Sequence, residues 1–394
     1  MPEESAGKAP FIFIIAGEPS GDVLGGALMA ALKARTGGAV RFAGIGGERM
    51  GEEGLRSLVP IEELAIIGLA EVLPRARRIF RRVRETVDAV VRLRPDAVVT
   101  IDSSGFTWRV AQRLRARGET LPLIHYVAPM VWAWRAGKAR RMARWYDHLL
   151  ALLPFEPPYF AAVGLPCSYV GHPILESGAE AGDGPGFRLR HDIPADAPLL
   201  CLLPGSRGGE VGRMLPVFAA TLRHLLPDFP RLHLVVPCVD FLAERVEQVV
   251  SAWPARAIVV RGRAEKYAAF AASNLALATS GTVALELALA ELPAVIAYRA
   301  NPVTAWLLRR VVKAPYANLV NLILGREAIP ELLLEECTPD RLSSAVAVLL
   351  RNGAARAEQI DAYREGLERL GRGGLSPALR AADKVLEIIA ARHA

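Results

Sequence analysis

The strongest constraint on this chain is a rhythm of short, largely apolar runs. They fall at 11–16, 40–43, 97–101, 123–127 and 149–153, then again at 199–202, 232–236, 257–260, 275–278 and 294–298, separated by longer segments of helical character. A strand that is apolar throughout is buried on both faces, and strands alternating with helices build a parallel sheet covered on each side. Periodicity alone leaves a closed barrel open. At 394 residues the chain exceeds one ordinary core. The rhythm breaks at 173–185, where residues 178–185 have no periodic apolar face and read as a linker. The expected fold class is therefore α/β, with two doubly wound parallel-sheet domains. The domains are expected at 1–176 and 177–345, followed by a helical tail at 346–394 that packs back on the first.

Two turns in the second half are suited to anions. Gly205, Ser206 and Arg207 follow the run 199–202, and Ser280, Gly281 and Thr282 follow 275–278, with Glu286 four residues on. Each has the form strand, small-residue turn, helix start, which offers backbone N–H groups to an anion. Arg207 adds a guanidinium that can fork onto phosphate oxygens, and Glu286 a carboxylate that can accept from ribose hydroxyls. A nucleoside diphosphate held by the second domain is the ligand this pattern suggests.

In the first domain Asp102 stands where the run 97–101 ends, the edge at which open parallel sheets carry their ligand chemistry. It is the best candidate for a general base, with capping of the following helix as the plain alternative. Glu18 and Asp22 lie in the loop after the first strand; for Asp22 a helix-capping role is at least as good a reading. His172 sits at the start of the linker, where it reaches a phosphate or buttresses a hinge.

The formal charge of +7 favours an anionic partner. Arg75, Arg77, Arg78, Arg81, Arg82 and Arg84 are crowded just after Ile66, Ile67, Leu69, Val72 and Leu73, and a second basic cluster follows Trp132 and Trp134. A solvated helix face accounts for each cluster; an apolar edge beside arginines also suits an anionic lipid surface. Nucleic acid is disfavoured, because neither cluster carries a binding motif with interleaved aromatics. The polar first ten residues contain no signal peptide pattern, and no apolar stretch reaches the ~18 residues of a membrane span. Cys167, Cys201, Cys238 and Cys337 have no metal-ligand spacing and read as reduced thiols of a cytoplasmic protein. The zinc-protease HExxH, the P-loop lysine and the strict glycine pattern of a nicotinamide site are all missing, so no metal and no cofactor are expected.

An ordered set of segments then becomes specific. It comprises 16–22 (AGEPSGD), the region 68–73, 125–135 (HYVAPMVWAWR), 154–156 (PFE), 170–173 (VGHP), 203–207 (LPGSR) with Glu210, 280–282 (SGT) with Glu286, and Asn321 followed by 325–327 (GRE). In this order the chain resembles the lipid-A-disaccharide synthase family, membrane-associated inverting glycosyltransferases of GT-B type whose two domains face each other across a cleft. The resemblance implies transfer of 2,3-diacylglucosamine from its UDP derivative to the 6-hydroxyl of 2,3-diacylglucosamine 1-phosphate, giving a β-1,6 disaccharide and UDP with inversion and without metal. It implies that Asp102 is the base, that Glu18, Ser20 and Asp22 line the acceptor side, and that Arg207 and Asn321 lie near the UDP phosphates with Glu286 on the ribose. It further implies a homodimer on the cytoplasmic face of the bacterial inner membrane. Two positions depart from the family pattern: residues 102–107 read DSSGFT, without the usual second aspartate, and Val320 replaces the proline before Asn321. The rival readings are a UDP-N-acetylglucosamine 2-epimerase-like enzyme and a non-enzymatic nucleotide-sensing membrane adaptor.

Overall fold

The computed structural model describes residues 9–64, 72–134, 136–301, 304–306, 310, 312 and 314–393. The chain forms two compact units, Met1–Pro173 with Gly374–Ala394, and Ile174–Gly373. The first is built on strands β1 (Phe11–Ala16), β2 (Arg41–Ile45), β3 (Ala97–Ile101), β4 (Leu123–Tyr126), β5 (His148–Ala151) and β6 (Cys167–Tyr169). The second carries β7 (Leu199–Leu203), β8 (His233–Cys238), β9 (Ala257–Arg261), β10 (Leu275–Thr279), β11 (Ala294–Tyr298) and β12 (Glu331–Leu333).

Each unit holds one six-stranded open sheet, in the orders β2-β1-β3-β4-β5-β6 and β12-β11-β10-β7-β8-β9. Every neighbouring pair is parallel. The central strands β3, β7 and β10 are buried at every residue, which is why their sequences are apolar but for Thr100 and Thr279. In both sheets the chain works outward in one direction and then restarts on the other side. The reversals fall between β1 and β3 in the first sheet and between β7 and β10 in the second. At such a switch point the loops leaving the two adjacent strands diverge and open a crevice at the carboxyl edge.

Some boundaries move. β2 does not stop before Gly44 but runs on through Ile45, since both residues pair with β1 (Ile14↔Gly44, Ile15↔Ile45). The stretch read as a linker is ordered within the second unit: Asp183 caps the helix Gly184–Arg190 by accepting from the Gly186 amide at 2.9 Å, and Ala179 is buried. After the helix Gly353–Arg369 the chain returns to the first unit, where Pro377–His393 packs on the helix Pro19–Arg35. Arg380 donates there to the Tyr169 carbonyl at 2.9 Å.

Candidate active site

The first switch point collects carboxylates. Asp102 follows β3, its amide donating to the Tyr126 carbonyl at 3.0 Å, and both Asp102 and Ser103 sit in the left-handed region with φ of 45°. Two consecutive non-glycine residues there store strain, of the kind that concentrates where a side chain must be aimed. The Thr107 hydroxyl bridges the carbonyls of Asp102 (2.8 Å) and Ser103 (3.0 Å) and so holds the turn at the head of the helix Ser104–Ala116. Gly17, after β1, lies so close to the Ser103 side chain that any Cβ would collide with it; the glycine lets the loop carrying Glu18 pass directly beside Asp102.

Burial raises the Asp102 carboxyl above its ordinary value, partly offset by the Ser103 N–H. Glu18, although exposed, is raised by partial desolvation and then by the charge of Asp102. A carboxylate short of solvation is suited to accept a proton from a hydroxyl placed within reach. Ser20 is exposed in the first turn of the helix Pro19–Arg35. Asp22 needs correction as an acceptor-side residue. It is buried, and its two oxygens accept from the amides of Gly47 (2.6 Å), Arg49 (2.9 Å) and Met50 (3.2 Å), capping the short helix Glu48–Glu52 rather than its own.

The second switch point is held together by other carboxylates. Gly205 turns the chain after β7 with φ of 106°, and the Glu210 carboxyl packs where its Cβ would be while accepting from the Ser206 amide at 3.2 Å. Arg207 is the exposed N-cap of the helix Gly208–Leu225 and has no ion-pair partner among the described residues. After β10, the Ser280 hydroxyl donates to the Ala317 carbonyl (3.2 Å), while Gly281 and Thr282 are exposed at the head of the helix Val283–Leu289. Glu286 Oε1 accepts from Lys266 Nζ at 2.7 Å and from the Tyr267 hydroxyl at 3.0 Å.

Asn321 is likewise corrected. It is wholly buried; its Oδ1 accepts from the amides of Ala328 (2.8 Å) and Ile329 (2.9 Å), and its Nδ2 donates to the Ile329 carbonyl (2.9 Å) and to Glu331 (3.1 Å). It clamps a loop and has no group left over for a phosphate. Glu331, which sequence reasoning misses, completes that clamp by accepting from the amides of Ala317 (2.8 Å) and Asn318 (2.9 Å). Burial raises its carboxyl despite those donors. The spacing of Asn318, Asn321 and Glu331 alone gives no sign of it, because the partners meet only once β12 has formed. Val320, the departure from the family pattern, is simply buried in the helix Leu319–Leu324.

Of the expected lipid-facing residues, Ile66, Ile67 and Leu69 lie outside the described residues, and Val72 and Leu73 open the helix Val72–Leu93. That helix buries Ile79, Val83, Val87 and Val90 and exposes Arg77, Arg78, Arg81 and Arg84. Arg82 is corrected: it donates through Nε (2.9 Å) and Nη2 (2.7 Å) to Glu63 and through Nη1 (2.7 Å) to Glu85, a structural tie. Phe80 remains 48% exposed, with the guanidinium groups of Arg109 and Arg113 over its ring. His172 is half-buried, and desolvation pushes its imidazole down to about 4, so it stays neutral at the end of the first unit. Among the described residues no helix is long and apolar enough to cross a membrane, and no group of three His, Cys, Asp or Glu side chains is placed to hold a metal ion.

Comparison with known proteins decides the family. The profile described as Lipid-A-disaccharide synthetase matches residues 12–378. The chain belongs to the lipid-A-disaccharide synthase family. It is 58% identical to the Lipid-A-disaccharide synthase of Rhodospirillum centenum over 98% of this chain and 96% of that one. With the enzyme of Paramagnetospirillum magneticum it shares 52% over 96% and 97% of the two chains. Among solved structures it is similar to a UDP-GlcNAc 2-epimerase from Neisseria meningitidis, bound to UDP-GlcNAc, with a TM-score of 0.60 at 9% identity over 92% of this chain and 100% of that one. A glycotransferase of kitacinnamycin gives a TM-score of 0.58 at 17% identity, covering 96% and 99% of the two chains. At such identities the structures share the family's fold and nothing finer.

Proposed function

We propose that this chain transfers 2,3-diacylglucosamine from its UDP derivative to the 6-hydroxyl of 2,3-diacylglucosamine 1-phosphate, with inversion, forming the β-1,6 lipid A disaccharide and UDP. The observation that carries the reading is near-full-length identity of 58% to a Lipid-A-disaccharide synthase, in a chain with a desolvated carboxyl beyond one switch strand and an exposed arginine beyond another. Asp102 takes the proton of the acceptor hydroxyl as it attacks, while Glu18 and Ser20 line the acceptor side. The charge growing on the departing UDP is met by Arg207 and by the backbone at Gly205, Ser206, Ser280, Gly281 and Thr282, with Glu286 turning to the ribose. Asn321 and Glu331 hold the loop that accepts from Ser280, and Asp22 holds the turn at Gly47 to Met50.

The loss of the family's second aspartate at Gly105 leaves Asp102 as the base on this reading. A 2-epimerase shares the fold but has no need of two acylated substrates. Docking on the anionic cytoplasmic face of an inner membrane, through Phe80, Arg78, Arg81 and the segment around Ile66, Ile67 and Leu69, suits substrates with greasy tails. The enzyme works there as a homodimer. The test is incubation of the purified chain with the two lipids: UDP and disaccharide appearing in equal amounts support the reading, whereas UDP-sugar epimerised without acceptor, or UDP bound but never released, assigns the chain to one of the rivals.

A further inference from the structure

The segments 125–135 and 154–156 help to define the family resemblance, yet the proposed reaction uses none of their side chains. In the structure they form one assembly. β4 lies beside β3, and at its end the chain passes through Val127, held at φ of 82°, into the short helix Val131–Trp134. Trp132 is fixed there from two sides. Its indole N–H donates to Glu156 Oε1 at 3.2 Å, and its ring meets Phe155 edge-on with centroids 5.2 Å apart. Glu156 itself is 3% exposed, and its second oxygen accepts from the Leu153 amide at 3.0 Å.

A buried carboxylate with no cation bonded to it among the described residues is costly to maintain. Burial pushes it up to about 7 even with those N–H donors, and Cys167 on β6 is a titratable group beside it. Packing alone would be served as well by an apolar side chain. What the carboxylate adds is a directed bond that sets the angle of one partly exposed indole, at the same carboxyl edge of the sheet as Asp102.

Resting on the functional reading above, we propose that Trp132 is the apolar platform on which the acylated amino-sugar acceptor lies, and that Glu156 is the positioning residue that fixes its angle. An indole face matches the apolar face of a pyranose ring or the first methylenes of an acyl chain, and a locked ring loses little entropy on binding.

The test separates binding of the two substrates. Trp132→Leu should raise the acceptor KM about tenfold or more while the UDP-sugar KM stays within about twofold. Glu156→Ala should do the same more mildly, Glu156→Gln should recover part of the loss, and Glu156→Ala added to Trp132→Leu should do no further harm. A folded Trp132→Leu with the wild-type acceptor KM overturns the proposal; so does a Glu156→Ala effect that persists undiminished in the Trp132→Leu background. Should Glu156→Ala fail to fold, Trp132→Leu and Glu156→Gln decide the matter. A wild-type chain with no turnover would instead count against the functional reading. In that event calorimetric binding of detergent-dispersed 2,3-diacylglucosamine 1-phosphate still judges the platform: affinity weakened about tenfold in Trp132→Leu upholds it, and equal affinity rejects it.

Discussion

The two switch points share a topology and differ in how they treat charge. At the first, Asp102 is short of water and close to the carboxyl of Glu18, on a turn strained at two successive residues and fixed by the hydroxyl of Thr107. At the second, the functional groups are exposed or already engaged: Arg207 projects into solvent, Glu210 holds the Ser206 amide, and Lys266 holds Glu286. A group that must accept a proton gains from being desolvated and immobile, since the first raises its basicity and the second keeps it at a fixed position. A site that must bind and release a diphosphate gains from partners that can be exchanged, because the ligand then replaces existing hydrogen bonds instead of creating all of them.

Substitutions at the two edges should therefore fail in different ways. The largest effect is expected from Asp102→Asn, which keeps the shape and removes the base: kcat should fall about a thousandfold, within the range for loss of a general base, and a kcat near wild type would reduce Asp102 to a helix cap. Next comes Arg207→Ala, for which the loss of charged hydrogen bonds to the diphosphate should lower kcat/KM for the UDP-sugar by about ten- to a hundredfold; an unchanged value would move the donor phosphates elsewhere. Glu286→Ala should weaken UDP only severalfold, because Lys266 loses a partner at the same time. Nucleoside binding that stays at the wild-type level in calorimetry would break the ribose assignment.

The smallest expected effect concerns stability against pH. A buried carboxyl raised to about 7 favours its protonated form in the folded state. Its contribution is therefore intact below the unfolded value near 4.5, declines as pH rises from there, and is fully lost above about 7. Glu156→Gln should flatten the fall in melting temperature between those limits, and an equal slope in both proteins would mean that the carboxyl is hydrated.

Much of this arrangement is legible in the amino-acid sequence. The strands flanking the switch points, β1, β3, β7 and β10, are largely apolar runs, and Asp102, Arg207 and Glu286 stand out by their places beyond the ends of those runs. The edge strands β6 and β12 do not stand out, since each has only three residues, all of them half-buried, and carries no full alternation. The side chains that sequence reads too generously are Asp22, Arg82 and Asn321. All three are polar groups in promising segments, and in each case the partner that claims them sits far along the chain or on a second element: Gly47 to Met50, Glu63, and the loop at 328–331. Sequence shows which groups can do chemistry, and only the fold shows which are already spent on holding the chain together.

The division of labour between the two edges is tested most directly by titrating UDP into Asp102→Asn and Arg207→Ala side by side in a calorimeter. The account predicts wild-type affinity in Asp102→Asn and affinity lower by about tenfold or more in Arg207→Ala. Equal weakening in the two variants, or none in Arg207→Ala, would contradict it.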